Sequence, residues 1–335
     1  MHPALQGFIT IIVGVGGCVG YFYFSNQILD KVLFPARGPN AGRNINRAGM
    51  IRPWLFLLPA LLALGLYLAY PVFETLRLSL TDRIPGGGSE FVGLDNYQQM
   101  FSEPKFWEAL QNNILWLLVV PAFSTAFGLL AAQLTDRIKW GNIAKSLIFM
   151  PMAISFVGAA VIWKLVYDTR PIDQDQIGVL NALYLWFGGD DPQTWLTTPF
   201  WNNFFLMAVL VWIQTGFAMV ILSAALRGIP EETIEAAILD GANPFQLFFK
   251  IKMPQISSTI VVVWTTITIV VLKVFDIVFA MTNGQWGTQV LANYMFDKLF
   301  RANDWGVGSA SAMIIMLLVT PILVWNVRNA RKEMR

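Results

Sequence analysis

Apolar runs about twenty residues long recur seven times along the chain, each almost free of charge and bounded by polar, Gly- and Pro-containing stretches. An α-helix rises about 1.5 Å per residue, so about 20 residues cross a hydrocarbon core about 30 Å thick. The pattern predicts spanning helices at 7–26, 54–76, 112–134, 146–166, 203–226, 256–281 and 309–327. Residues 94–111 mix aromatic and acidic side chains at roughly helical spacing and read as an amphipathic helix on the membrane surface, or else as a solvated connection. Residues 35–53, rich in Pro, Gly, Asn and Arg, have the composition of a linker. The expected organisation is an extra N-terminal transmembrane helix at 1–30, a basic cytoplasmic linker at 31–53, a six-helix block at 54–328 and a tail at 329–335. Within the block, 82–111 is an external interfacial segment and 227–255 a cytoplasmic loop.

Composition turns this pattern into a class. The chain is 56% hydrophobic and 13% charged, with 13 Trp and 25 Phe, more apolar surface than a globule of 335 residues can hide from water. An all-α integral membrane protein follows. With Cys18 and His2 as its only cysteine and histidine, the chain offers no disulfide framework, no Cys/His metal site and no Ser-His-Asp triad, so no catalytic residue is assigned.

A net charge of +2 says little, but its distribution orients the chain, because Lys and Arg stay on the cytoplasmic side of short loops. Of 23 basic residues, fifteen fall in 31–52 (Lys31, Arg37, Arg43, Arg47, Arg52), 135–146, 227–255 and the tail. The alternate loops hold Arg83, Lys105, Arg170, Lys298 and Arg301, and the spans or their edges hold Arg77, Lys164 and Lys273. The N-terminus is expected outside and the C-terminus in the cytoplasm. The first span lacks the basic n-region of a cleaved signal, although Val15-Gly16-Gly17-Cys18 faintly resembles a lipoprotein cleavage site. Gly16 and Gly20 have the small-xxx-small spacing that admits a second helix, or are merely tolerated in lipid.

The loop 227–255 carries its own helical pattern. Pro230 suits a first helical turn, Glu231 and Glu232 complement the positive end of the dipole, and Gly241 suits a helix end. Phe245, Phe248 and Phe249 form an apolar stripe, closed by Pro254. The spacing Glu235-Ala236-Ala237, three residues, Gly241, nine residues, Ile251-Lys252-Met253-Pro254 resembles the EAA loop of bacterial ABC-importer membrane subunits, EAA-x3-G-x9-I-x-L-P, with Met253 for Leu. Gly93-Leu94-Asp95-Asn96-Tyr97, Phe106-Trp107 and Asn112-Asn113 resemble the external segment of carbohydrate-type permeases. Phe275-Asp276, Thr282-Asn283-Gly284 and Thr288 resemble their FD…T-G-G-P…T stretch, departing at Gln285-Trp286 where the family often has Gly-Pro. The extra first helix and the run LKVFDIVFAMTNGQWGTQVLAN look most like permeases of α-glucoside uptake systems.

The resemblance implies a six-helix permease core in a bacterial inner membrane, multi-pass, paired with a second homologous permease subunit. It also implies two ATPase subunits that carry the ATP and magnesium, and an external binding protein that delivers a sugar, a disaccharide α-glucoside. Glu235, Ala236, Ala237, Gly241, Ile251 and Pro254 are then the ATPase-coupling positions. The chain itself lacks a G-x-x-x-x-G-K-[ST] phosphate loop and needs no cofactor of its own.

Sugar recognition calls for hydrogen-bonding groups and aromatic faces. The candidates are Trp212, Gln214 and Thr215 in the fifth span, Trp264, Thr265 and Thr268 in the sixth, and Ser309 and Ser311 in the seventh. Their hydroxyls can equally bond their own helices, and Trp can be an interface anchor. Lys273 and Asp276, three apart, are expected to form an intramembrane ion pair, as are Glu74 and Arg77. An ion-coupled secondary transporter using Lys273 and Asp276 is the alternative function, and a non-transporting assembly protein a further one.

Overall fold

Lipid offers a peptide group no hydrogen-bond partner, so apolar runs fold into helices that satisfy their own backbone. The computed structural model describes residues 3–83, 88–136 and 138–333. His2, Arg137 and Arg335, and residues 84–87 of the expected external segment, lie outside the described residues. The chain divides into two compact units, Met1–Glu74 and Thr75–Arg335.

In the first unit, α1 (Pro3–Ile28) runs into a π-helical turn at Leu29–Leu33. After it come α2 (Ala41–Leu64), a second such turn at Gly65–Ala69, and α3 (Tyr70–Ser79), within which the division falls. The expectation of a linker over 31–53 is corrected, since irregular backbone is confined to 34–40 and α2 begins at Ala41. Ala and Arg are good helix formers, and side chains tie the corner: Asn44 Nδ2 donates to the Pro35 carbonyl at 2.9 Å, and Arg52 reaches both Asp30 oxygens at 2.6 and 2.8 Å. Tyr21 Oη donates to the Leu55 carbonyl at 2.8 Å, joining α1 to α2. A Cβ at Gly16 would meet no atom within 4 Å and one at Gly20 only the Phe24 ring of its own helix, so no described helix presses on that spacing.

The second unit begins its apolar body with a short hairpin, β1 (Thr81–Arg83) against β2 (Ser89–Phe91), and α4 (Asp95–Ser102). The expected surface helix over 94–111 is corrected. Glu103, which precedes Pro104, is extended at φ −83°, ψ 122°, as the proline ring demands, and Pro104 opens the long α5 (Pro104–Thr135). One face of this region packs inward, with Met100, Phe106 and Ala109 buried in a cluster with Leu291, Tyr294, Val307 and Ala310.

The fourth expected span is broken. Pro151 sits in a 3-10 turn between α6 (Gly141–Phe149) and α7 (Phe156–Val166), whose axes differ by 105°, and Ser155 caps α7 by accepting from Gly158 N at 3.1 Å. At about 1.5 Å per residue neither piece crosses a bilayer alone. Beyond α8 (Val179–Trp186), α9 (Trp201–Arg227) is a full span. The sixth span also stops early. It begins as α13 (Ser257–Leu272), defined below with the segment that precedes it, and ends at Lys273, with α14 (Asp276–Met281) starting after a break. Last come α15 (Leu291–Phe296) and α16 (Trp305–Glu333). Among the described residues five helices are long and apolar enough to cross a membrane, and two bent pairs bring this to seven.

The principal interface is α5 against α9. It is close because Gly128 has no side chain: a Cβ there would lie 2.4 Å from Ala218 Cβ and 2.8 Å from Met219 N. Gly216 does the same for α9 against α6, where a Cβ would lie 2.7 Å from the Ile148 carbonyl. Around the α5–α9 interface pack Trp116, Leu206, Met207, Leu210, Met219, Leu222 and Ile267, each under 2% exposed. We predict that Gly128→Ala lowers stability in detergent by about 1–3 kcal/mol through overpacking. Gly49→Ala, within α2 and with a Cβ that would meet nothing within 4 Å, is the control and should hold or raise the melting temperature, because Ala is the better helix former. Equal melting temperatures for both variants would refute the close approach.

Candidate functional site

Sequence places the candidate coupling residues where α9 ends. The chain turns at Gly228, Ile229 is buried, and Pro230 caps α10 (Glu231–Leu239) from just outside it, with Glu231 and Glu232 in the first turn. Gly241, at φ +84°, terminates α10: its N–H donates to the Ile238 carbonyl at 3.0 Å and Ala242 N–H to the Ala237 carbonyl at 3.0 Å. This Schellman geometry needs a left-handed residue, which is what glycine supplies. Asn243 then forms a reciprocal capping box with Gln246, at 2.8 and 3.0 Å, opening α11 (Pro244–Gln246). A π-helical turn at Leu247–Lys252 and α12 (Met253–Gln255) lead to α13 through a 71° bend.

The burial of this segment is inverted relative to an ordinary surface hairpin. No residue of α10 is buried, and Ile238, Leu239, Phe245 and Phe249 are 56%, 88%, 70% and 47% exposed. Its roots are fixed in the core by Ile229, Leu247 and Ile256, each under 8% exposed, and by Lys252, which donates to Gln133 Oε1 at 3.4 Å. Glu235, Ala236 and Pro254 are exposed, Ala237 and Ile251 half-buried. A rigid base carries an apolar, acid-flanked tip.

Polar clusters close both ends of the α5–α9 pair. At the end beside the segment, Asp136 Oδ1 accepts from Lys145 Nζ, from Ser223 Oγ at 3.0 Å, and from Arg227 Nε and Nη2 at 3.1 and 3.0 Å. Burial raises the Asp136 carboxyl, but these hydrogen bonds and the Lys145 charge outweigh it and hold it below its ordinary value. At the other end the loop after α14 has positive φ at Asn283, Gly284, Trp286 and Gly287. Asn112 Nδ2 donates to the Gly287 and Gln289 carbonyls at 2.9 and 2.8 Å, Asn202 to Trp286 at 2.8 Å, and Asn203 to Gly287 at 3.1 Å. Thr282 and Thr288 hydroxyls lie 2.7 Å apart within the loop. Asn113 and Asp136 are about 35 Å apart along α5 at about 1.5 Å per residue, close to a hydrocarbon thickness. The Asp136 cluster gave no sequence signal, because it joins residues far apart in the chain. The paired asparagines at 112–113 and 202–203 were the visible trace of the other.

The candidate sugar-path residues do not converge on one site. Trp264, Thr265 and Thr268 line a groove of about 460 Å³ between α13 and α16 with Pro321, Ile322 and Trp325. Trp212 instead packs edge-on against Trp163 at 5.7 Å. The hydroxyls of Thr215, Thr265 and Thr268 donate to Val211, Val261 and Trp264 carbonyls of their own helices at 2.7, 2.9 and 2.8 Å. Gln214, Ser309 and Ser311 are buried, and Ser311 Oγ has no hydrogen-bond partner. The expected Lys273–Asp276 ion pair is corrected: among the described residues neither makes a salt bridge, because the break after Leu272 takes them off a common helical face. Both line a cavity of about 280 Å³ with Phe156, Leu210, Val270, Val274, Phe275 and Ile277.

Asp136→Asn should cost about 1–3 kcal/mol, since it leaves Lys145 and Arg227 without their anion, and Asp136→Glu should cost less. Because the folded carboxyl lies below its ordinary value of 3.8, the contribution is complete above that value and is lost as pH falls through the folded value. Thermal unfolding of the two variants at neutral pH checks this, and an unchanged Asp136→Asn would sink the assignment.

Comparison with known proteins bears on this arrangement. Residues 124–333, which include the segment 228–256 and the last part of α5, match the family described as binding-protein-dependent transport system inner membrane component. The chain is 62% identical to the alpha-glucoside transport system permease protein AglF of Rhizobium meliloti, over 99% of each chain. It is 48% identical to the osmoprotective compounds uptake permease protein GgtC of Synechocystis, over 83% of this chain and 99% of that one. A bacterial alginate ABC transporter, solved in complex with an alginate pentasaccharide-bound periplasmic protein, contains a chain of the same fold. The two superimpose with a TM-score of 0.73 at 19% identity, over 88% of this chain and 99% of that chain. With a family match over most of its length and a relative this similar from end to end, the chain belongs to the binding-protein-dependent transport system inner membrane components, as a multi-pass ABC-importer permease.

Proposed function

We propose that this permease imports a sugar, a disaccharide α-glucoside, as one of two permease subunits served by two ATPase subunits and an external sugar-binding protein. ATP and magnesium are held by the ATPases. The 62% identity to an alpha-glucoside permease supports the substrate class. The orientation follows the basic residues: N-terminus outside, residues 31–53 and the segment 227–255 in the cytoplasm. The ion-coupled reading of Lys273 and Asp276 loses its ground with family membership.

The observation that carries this function is the segment 228–256. An exposed helix bearing Ile238 and Leu239, with Phe245 and Phe249 beside it, exposes apolar area that water disfavours, on a base too well rooted to fold away. An ATPase surface that covers this tip feels any movement of α9 and α13 through the two roots. Glu235, Ala236, Ala237, Gly241, Ile251 and Pro254 act here as coupling positions. Glu235→Lys places the wrong charge in the contact, and Gly241→Asp forces a side chain into φ +84°. Each should abolish uptake and ATPase co-purification while the protein stays inserted and abundant. Retention of both activities in both variants would refute the docking role.

For the sugar path, the better contacts are the buried polar side chains Gln214, Ser309 and Ser311, the last with no hydrogen-bond partner among the described residues, with the Trp264 ring as a stacking face. Lys273 and Asp276 at the helix break add polar atoms beside Leu210, one turn from Gln214. Losing one such contact to a neutral sugar is worth about 1 kcal/mol, or about fivefold in uptake. In proteoliposomes, Gln214→Ala and Trp264→Ala should lower the sugar delivered per ATP, and Thr268→Val, whose hydroxyl is engaged by its own helix, should not. Parallel loss of ATPase and uptake for every sugar would make these residues packing elements.

A further inference from the structure

Helix α8 connects the broken fourth span to α9, at the end of the spans opposite the segment 228–256. Its outward side carries Val179, Ala182, Leu183, Trp186 and, just past its end, Phe187, at the i, i+3, i+4, i+7, i+8 spacing of one helix face. Val179, Leu183, Trp186 and Phe187 are 54%, 42%, 77% and 79% exposed. The inward side holds the polar residue. Asn181 is 0% exposed, its Nδ2 donates to the Asp168 and Gln193 carbonyls and to Thr169 Oγ1, each at 3.0 Å, and its Oδ1 accepts from Gln193 N at 2.8 Å. Leu180 packs on the main core beside it, and Tyr184 sets its ring against Trp195. A helix bathed by water has the reverse arrangement, apolar in and polar out.

Two observations identify what covers the stripe. The neighbouring α7 is a membrane-inserted half-span whose Val157, Val161, Ile162 and Leu165 are 49%, 54%, 44% and 59% exposed, and Phe200 and Trp201, each 59% exposed, open α9 at the same end. The stripe therefore continues a surface already turned to lipid, at the level where aromatic residues collect. Charge is absent from Ile177 to Gly189 and resumes on both sides, with exposed Asp173 and Asp175 before and Asp190 and Asp191 after, which keeps both ends of the helix in water. We propose that α8 is an interfacial anchor, lying in the headgroup boundary of the leaflet opposite the docking segment with its Val179–Leu183–Trp186–Phe187 stripe in lipid. With acids at both ends, it is held by apolar burial and not by attraction to anionic headgroups.

Site-directed spin labelling of the assembled transporter tests this, in vesicles of phosphatidylethanolamine and phosphatidylglycerol. In a Cys18→Ser background, nitroxides are placed at Trp186→Cys, at Val161→Cys as lipid reference and at Asp190→Cys as water reference, with Leu183→Cys as a second probe should Trp186→Cys fail to assemble. The expected result is collision with oxygen exceeding collision with a water-soluble nickel chelate severalfold at 186, as at 161, and the reverse at 190. Exchanging the vesicles for phosphatidylcholine should change nothing. Nickel accessibility at 186 equal to that at 190 would overturn the proposal in favour of a face open to water or to a soluble partner. Low accessibility to both reagents would overturn it in favour of cover by another subunit. A requirement for the anionic lipid would overturn the apolar mode of anchoring.

Discussion

Inside a bilayer every polar group must find its partner within the protein, and the arrangement of this permease follows from that constraint. The α5–α9 pair is tightly apposed where Gly128 removes the side chain that would hold the backbones apart, and Gly216 lets α6 approach α9 in the same way. Two polar clusters close the ends of the pair, the Asp136 cluster and the asparagine clamp on the loop 282–290. Each cluster satisfies groups that would be costly to leave unpaired, and each fixes the register of elements distant in sequence.

Where the helices break, the same constraint marks function. Backbone freed at Lys273–Phe275 lines the cavity that Phe156, Leu210 and Asp276 also line. Irregular backbone at membrane depth is tolerated where it is buried or lines a cavity. Beyond the spans the segment 228–256 inverts the rule. There apolar side chains face outward from a well-capped frame, the surface on which the proposed ATPase contact rests.

The two outlying helical elements show how the same physics gives different outcomes. Residues 94–111 looked amphipathic and became part of a packed cluster, since Phe106 and Met100 found Tyr294 and Leu291 to pack on. The region around α8 gave no comparable signal, because its single polar residue is spent inward on the turn at Asp168 and Gln193.

The sequence alone determined the class, the number of apolar segments and the family motif of the segment 227–255. Those rest on local properties: run length, composition, and the fixed spacing from Glu235 through Gly241 to Pro254. The breaks at Pro104 and Pro151 were not read: the expected helix over 94–111 and the expected span over 146–166 ran through both prolines, where the structure starts one helix and bends another by 105°. Tertiary structure alone decided which polar residues are spent. Thr215, Thr265 and Thr268 bond their own helices, Lys273 and Asp276 stand apart across a break, and Asp136 collects three partners from two other helices. The reason is that a side chain's partner depends on the rotation of each helix about its axis and on what packs beside it, and neither is written in hydropathy.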